Sequence, residues 1–402
     1  MTTPSPPPRP QPQPPRPSSR SPLPHRPPPG APPPAWYRDP ANAELQRWWD
    51  GQRWTEHVRV PPSGRRLPPW LSVPVLAAGA IVLPLSVLAV IFVPVIVAMT
   101  ALPLAVVFAT FTWLDRIEPE PWTARLHATL WGATVAALGA GVVNTIVAIT
   151  VGDVATLVVS APIVEEVLKV GGVLYAATRR RDVSSTMDGV VFAGWVAAGF
   201  AATENVLYLV EGAEVGALTV TFVVRGLLTP FAHPLFALPA GLAVGWAISQ
   251  RRSPWTWAAV GLVPAIAAHA LWNATTLLAV DVTGVIVAGA LLLGFVALFV
   301  GCAITLAVGR RRRARRFVQL VPMLTARYQL RYEELVAFSD WRRLLATRRM
   351  LPDRPTRRRF DAVHGAVARL AALQDRPGGP TLDEEQRALA ELAAARAGAP
   401  AH

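Results

Sequence analysis

A row of apolar runs between Leu71 and Gly309 constrains this chain more than any other feature. Eight can be separated, at about 71–91, 94–114, 126–150, 153–178, 187–210, 217–249, 254–279 and 283–309, each near the ~20 residues that cross a hydrocarbon core of ~30 Å. The first two meet at Pro94. The sixth exceeds one crossing, so a tilted or interfacial turn is expected at its start. Charge is correspondingly scarce: 16% of the 402 residues are charged and 52% are hydrophobic, against roughly a quarter charged in a soluble domain. A bilayer, rather than a large aqueous core, is the solvent that this composition fits.

The formal charge of +13 does not point to a nucleic-acid partner, because the arginines gather at the flanks of the apolar runs. They precede the first run and recur at Arg179 to Arg181, at Arg251 and Arg252, and from Arg310 to Arg316. With eight spans all these clusters fall on one side, which the positive-inside rule makes the cytoplasm. The opposite connections, around Asp153, Glu211 to Glu214 and Asp281, carry no arginine. The expectation is a multi-pass protein of the cell membrane with both termini cytoplasmic. Cys302 is the single cysteine and lies in an apolar run, which excludes an intrachain disulfide and a Cys-based metal cluster.

Outside the apolar core, residues 1–34 form a Pro-rich arm expected to be disordered, with no apolar stretch of signal-peptide type. Residues 35–60 place Trp36, Trp48, Trp49 and Trp54 around an Asp50-Gly51 turn, a pattern that fits a small hairpin module. Residues 71–309 are the polytopic core. Residues 310–402 are Arg-, Ala- and Glu-rich with helical spacing, broken near Pro352 and around Pro377 to Pro380, which predicts two or three cytoplasmic helices serving as a scaffold or regulatory tail. The fold class expected is an all-α integral membrane protein of about eight transmembrane helices, with an N-terminal β-hairpin module and a cytoplasmic helical tail.

Charged side chains at mid-bilayer cost at least ~2.5–3.5 kcal/mol, so each needs a partner or a purpose. The fourth run holds Glu165, Glu166 and Lys169, the fifth Glu204 and Asn205, the sixth Arg225 and His233, and the seventh His269 and Asn273. Glu165 lies about 14 residues before Arg179, Glu204 about 17 after Met187, His233 about 18 before Arg251, and His269 about 15 after Pro254. At ~1.5 Å per residue, four helices bring a carboxylate or imidazole to one depth, roughly 21–27 Å from the cytoplasmic ends. Arg225 sits nearer the outer end of its run and is expected to snorkel.

Lys169 is the only lysine in the chain and stands one turn from both Glu165 and Glu166, within reach of either carboxylate. A lone lysine in an arginine-rich chain points to a position that calls for a compact ammonium and not a planar guanidinium. Two Glu and two His at one level suit zinc, which takes imidazole nitrogen and carboxylate oxygen and in catalytic sites keeps three protein ligands. His233, His269 and one of Glu165 or Glu204 are the expected ligands. Glu166 or Glu165 beside Lys169 is the expected general base, and Asn273 the expected donor to an oxyanion.

The run Ala161-Pro162-Ile163-Val164-Glu165-Glu166-Val167-Leu168-Lys169 resembles the E-E-x-x-K motif of the PrsW family of intramembrane metalloproteases. Phe200 to Asn205 is similar to that family's F-x-x-x-E-N element, His233 opens a third motif, and His269 to Asn273 matches H-x-x-W-N. The family is distantly similar to the CAAX prenyl proteases, among which a metal-free mechanism is also described. The resemblance implies site-specific cleavage of membrane-embedded protein substrates, with signalling proteins such as anti-sigma factors as the theme. The W-Y-x-D-P and W-D-G-x-x-W-T elements of residues 36–55 resemble a short domain of unknown function from actinobacterial membrane proteins, which implies an adaptor or anchor without chemistry of its own. Both tails are candidate surfaces for cytoplasmic partners.

Two rival readings remain open on the residues alone. Buried Glu and His also build proton relays in transporters, and a catalytically silent scaffold can keep the same core. No internal repeat of the transporter kind is visible in the sequence.

Overall fold

The computed structural model describes residues 35–38, 40, 46–49 and 53–59, and residues 71–397 apart from 118, 279–281, 329 and 377. The Pro-rich arm, the Asp50-Gly51 turn and Asp281 lie outside the described residues. The chain divides into two compact units, Met1–Arg66 and Leu67–His402.

In the first unit the expected hairpin is a three-stranded antiparallel sheet in the order β1 (Ala35–Arg38), β2 (Gln46–Trp49), β3 (Trp54–Arg59). The extra strand is β1, which carries Trp36 and Tyr37. Trp36 stands opposite Trp48 and Trp49 opposite Trp54, and the Trp49 and Trp54 rings meet edge to face at 5.2 Å. Cross-strand aromatic pairs of this kind are what holds so small a sheet together.

The second unit is helical throughout its described residues. In chain order it contains α1 (Val73–Phe92), α2 (Pro94–Leu114), α3 (Trp122–Thr150), α4 (residues 153–180) and α5 (Thr186–Glu214). Next come α6 (residues 218–228), α7 (Ala232–Ser249), α8 (Pro254–Leu278) and α9 (Val282–Tyr328). Each of the eight apolar runs is therefore helical. Among the described residues, six stretches are long and apolar enough to cross a membrane: α2, α3, α5, α6 with α7, most of α8, and the Gly289–Tyr328 part of α9. Helix α4 is disqualified by the charged residues that make it interesting. The irregularity of the sixth run lies within it and not at its start, where it was expected: a break at residues 229–231 separates α6 from α7.

Helix α5 is the central post, because its small residues let neighbouring backbones touch it. A Cβ placed on Gly199 would stand 2.0 Å from the carbonyl oxygen of Thr129 in α3, and one on Gly189 would stand 2.2 Å from that of Gly241 in α7. Such small-residue seams are how helices pack where water supplies no hydrophobic drive. The N-terminus of α5 is fixed by a reciprocal cap, in which Ser185 accepts from the Asp188 backbone and the Asp188 carboxylate accepts from the backbone of Ser185. Arg313 of α9 reaches both Asp188 and the Ser185 hydroxyl.

The tail contains more helix than its sequence pattern predicts. Helix α9 continues from the apolar run through Arg310 to Tyr328 without a break, and α10 (Tyr332–Ser339), α11 (Trp341–Met350), α12 (Arg354–Gln374) and α13 (Leu382–Ala397) follow. They enclose an apolar core of their own that includes Leu324, Leu335, Val367 and Leu370. Arg376 donates to the carbonyl of Ser184, and Arg251 pairs with Glu384, which joins this core to the ends of the membrane helices.

Candidate active site

Helix α4 brings Glu165, Glu166 and Lys169 to the inside of the bundle, and Glu166 and Lys169 are wholly buried. Lys169 Nζ donates to Glu166 Oε1 at 2.8 Å, lies 3.6 Å from Glu165 Oε2, and meets His233 Nδ1 at 3.0 Å. It also stands 4.1 Å above the Phe200 ring. One ammonium thus touches an acid, an imidazole and an aromatic face, a set that a compact head group suits better than a planar fork.

Each histidine is held by a carboxylate through one ring nitrogen. His269 Nδ1 pairs with Glu166 Oε1 at 2.9 Å, which leaves Nε2 facing Glu165 Oε2 at 3.9 Å. His233 Nε2 pairs with Glu204 Oε2 at 2.5 Å, which leaves Nδ1 on the Lys169 side. A carboxylate behind an imidazole fixes the tautomer and aims the free nitrogen, as Glu166 does for His269, whereas both nitrogens of His233 are engaged, one by Glu204 and one by Lys169. The rings are close, with centroids 5.5 Å apart, and Phe236 stacks on His269 at 4.7 Å.

Of the acids expected at this depth, Glu165, Glu166 and Glu204 all come together, but in different company. Glu204 is held by Arg225 Nη2 at 2.5 Å, and Arg225 Nε donates to Asn205 at 2.9 Å while its guanidinium lies 3.9 Å from the Tyr208 ring. The snorkelling expected of Arg225 is therefore replaced by an inward ion pair. Glu165 Oε1 accepts from Asn144 at 3.4 Å, and Asn144 is in turn held by Ser160 at 2.8 Å. Counted as ionised, the three glutamates exceed Lys169 and Arg225 by one negative charge, and Glu165 lies furthest from either cation.

One ligand atom each from Glu165, His233 and His269 lies within 4.8 Å of the others, all three residues being buried. The Oε2 atoms of Glu165 and Glu166 are buried with no hydrogen-bond partner. A carboxylate oxygen and two imidazole nitrogens are a donor set that zinc accepts, so the residues fit a metal. Asn273, one turn beyond His269 in α8, donates through Nδ2 to the Leu157 carbonyl at 2.9 Å. That carbonyl belongs to a π-helical turn, Thr156–Ser160, where the local ladder is disturbed. A cavity of about 20 Å³, room for about one water, lies against His233 and is lined by Asn205, Arg225, Thr229, Pro230 and Trp272 among others.

Sequence reasoning did not single out Asn144 or Ser160. The signal available for Asn144 was an amide within the apolar second half of the third run.

Fold and site together define a polytopic membrane protein with a buried Glu/His/Lys constellation inside its helical bundle. Residues 120–302 match the profile of the PrsW family intramembrane metalloproteases, so the likeness extends over the whole site. Residues 34–66 match a protein family of unknown function, DUF2510. The chain is 29% identical over 144 residues to Protease PrsW of Geobacillus kaustophilus, an alignment that covers 34% of this chain and 61% of that relative. No solved structure matches the chain.

Proposed function

We propose that this chain is an intramembrane protease that hydrolyses peptide bonds of membrane-embedded protein substrates, with zinc as its cofactor. The observation that carries the reading is the convergence of Glu165, His233 and His269, from three different helices, on one buried point. The likeness to PrsW over residues 120–302 supports it. The eight helical runs with one-sided arginines support eight spans with both termini in the cytoplasm.

In this reading Glu165, His233 and His269 would hold the metal, His233 giving up its Lys169 contact at Nδ1 to do so. The chemistry a zinc ion would supply there is a lowered pKa for a bound water and polarisation of the scissile carbonyl. Glu166, anchored through Oε1 by Lys169 and His269, offers its unpartnered Oε2 to take the proton of the attacking water and return it to the leaving amine. Lys169 holds that carboxylate in place. Glu204 aims His233, and Asn273, which spends one N–H of its amide on Leu157 and so ties α8 to α4, serves with the other as donor to the oxyanion.

The test uses full-length protein in nanodiscs, zinc content by elemental analysis, and newly cleaved termini in a membrane proteome. Glu165→Gln and His269→Ala are expected to lose zinc. Glu166→Gln is expected to keep it and to slow cleavage by about 10²–10⁴. Ion flux into liposomes without new termini would overturn the proteolytic reading, and zinc retained by both His233→Ala and His269→Ala would overturn the metal site.

A further inference from the structure

Between Arg342 and Arg359 the chain carries an arginine concentration that the site does not use. Arg342, Arg343, Arg349, Arg354, Arg358 and Arg359 are exposed, and none makes an ion pair among the described residues. The acids within reach are already occupied: Asp353 caps α12 through the Thr356 amide, and Asp361 binds Arg348. Met350, at the turn between α11 and α12, is 79% exposed. An apolar tip set among unpaired cations is unlike an ordinary solvated helix surface, where charges of both signs alternate.

The placement of α12 says what this patch faces. At its C-terminal end Arg376 binds the Ser184 carbonyl, and Asp375 takes Arg316 of α9. Near its middle a Cβ on Gly365 would lie 3.5 Å from the carbonyl of Pro119, in the connection between α2 and α3. The helix is thus laid across the arginine-rich ends of the membrane helices, with the Gly365 stripe toward them. Arg358 and Arg354 precede Gly365 by seven and eleven positions, two and three turns, and so share that stripe. At ~1.5 Å per residue they stand roughly 10 and 16 Å further along that stripe.

We propose that the Arg342–Arg359 segment docks on the anionic phospholipid headgroups of the membrane that the core spans. Phosphate oxygens of the headgroups accept from Arg354 and Arg358 on the stripe, and Met350 enters the interface beside Arg349. Basic amphipathic segments bind membranes through this combination of charge and modest apolar insertion. The inference depends on the membrane placement of the core and not on its proteolytic activity.

Full-length protein is reconstituted in nanodiscs of phosphatidylcholine alone or of phosphatidylcholine with phosphatidylglycerol, and the half-time of tryptic cleavage after Arg349 is measured against that after Arg387 in α13. Anionic discs are expected to slow cleavage after Arg349 about fivefold or more, an effect that rising salt erases. The variant Arg342→Gln/Arg343→Gln/Arg354→Gln/Arg358→Gln, which keeps the cleavage site, is expected to show no lipid dependence. Equal half-times for the unaltered protein in the two lipids would overturn the proposal without recourse to any variant. Protection by added duplex DNA in phosphatidylcholine discs, with none from phosphatidylglycerol, would also overturn it and assign the patch to nucleic acid.

Discussion

Arg225 shows what residue counting can and cannot see. The ionisable residues were legible because the bilayer makes each of them costly, and depth alone brought Glu165, Glu204, His233 and His269 to one level. Counting gives height along a helix but not rotation about it, so it could not say which acid faces which imidazole. It also assumes an unbroken α-helix. The segment Val223–Leu228 is wound as a π-helix and the chain breaks at 229–231, so the position of Arg225 could not be read from a regular rise. Its guanidinium is the cation on Glu204, and removing it leaves a carboxylate of low exposure without that partner. Arg225→Gln is expected to cost on the order of 2–5 kcal/mol, and the double variant Arg225→Gln/Glu204→Gln to recover most of the loss. Thermal unfolding of the four members of the cycle in detergent checks this. Additive losses would mean that the pair contributes little.

At the level of elements, all eight apolar runs proved helical, and the second began and ended where hydropathy placed it, at Pro94 and Leu114. The tail was less legible. Its arginine-rich stretch after Gly309 reads as a flank, yet α9 continues through it, because arginine is a good helix former and neither Gly nor Pro intervenes until Pro322. The hairpin gained a third strand for a comparable reason: four residues are too few for periodicity to register. Close helix crossings were also invisible, since a glycine in an apolar run does not announce what it touches. The Gly199 crossing gives a sharp expectation. In Gly199→Ala the new methyl meets the Thr129 carbonyl, which is backbone and cannot rotate away, so α3 and α5 must separate. A loss of about 1–3 kcal/mol is expected, against nearly none for Gly289→Ala, where nothing lies within 4 Å. Comparable melting temperatures for the two variants would show that the seam is not tight.

For the whole molecule, the one-sided arginines and the even number of helical runs make a topological claim that is simple to check. A reporter fused after His402 is expected to be cytoplasmic, and one inserted at Gly216, in the turn after α5, extracytoplasmic. Reporters on the same side would remove the eight-span arrangement. The distribution of the buried constellation over helices has a further consequence. Glu165, Glu166 and Lys169 come from α4, Glu204 from α5, His233 from α7 and His269 from α8, and no two adjacent helices hold a complete set. A chain still emerging from the ribosome lacks His269 until its seventh apolar run has been delivered, and lacks the arrangement until that run has docked. The constellation is therefore a property of the assembled bundle and of no shorter stretch of it: two thirds of the chain must be in place before its last member is present.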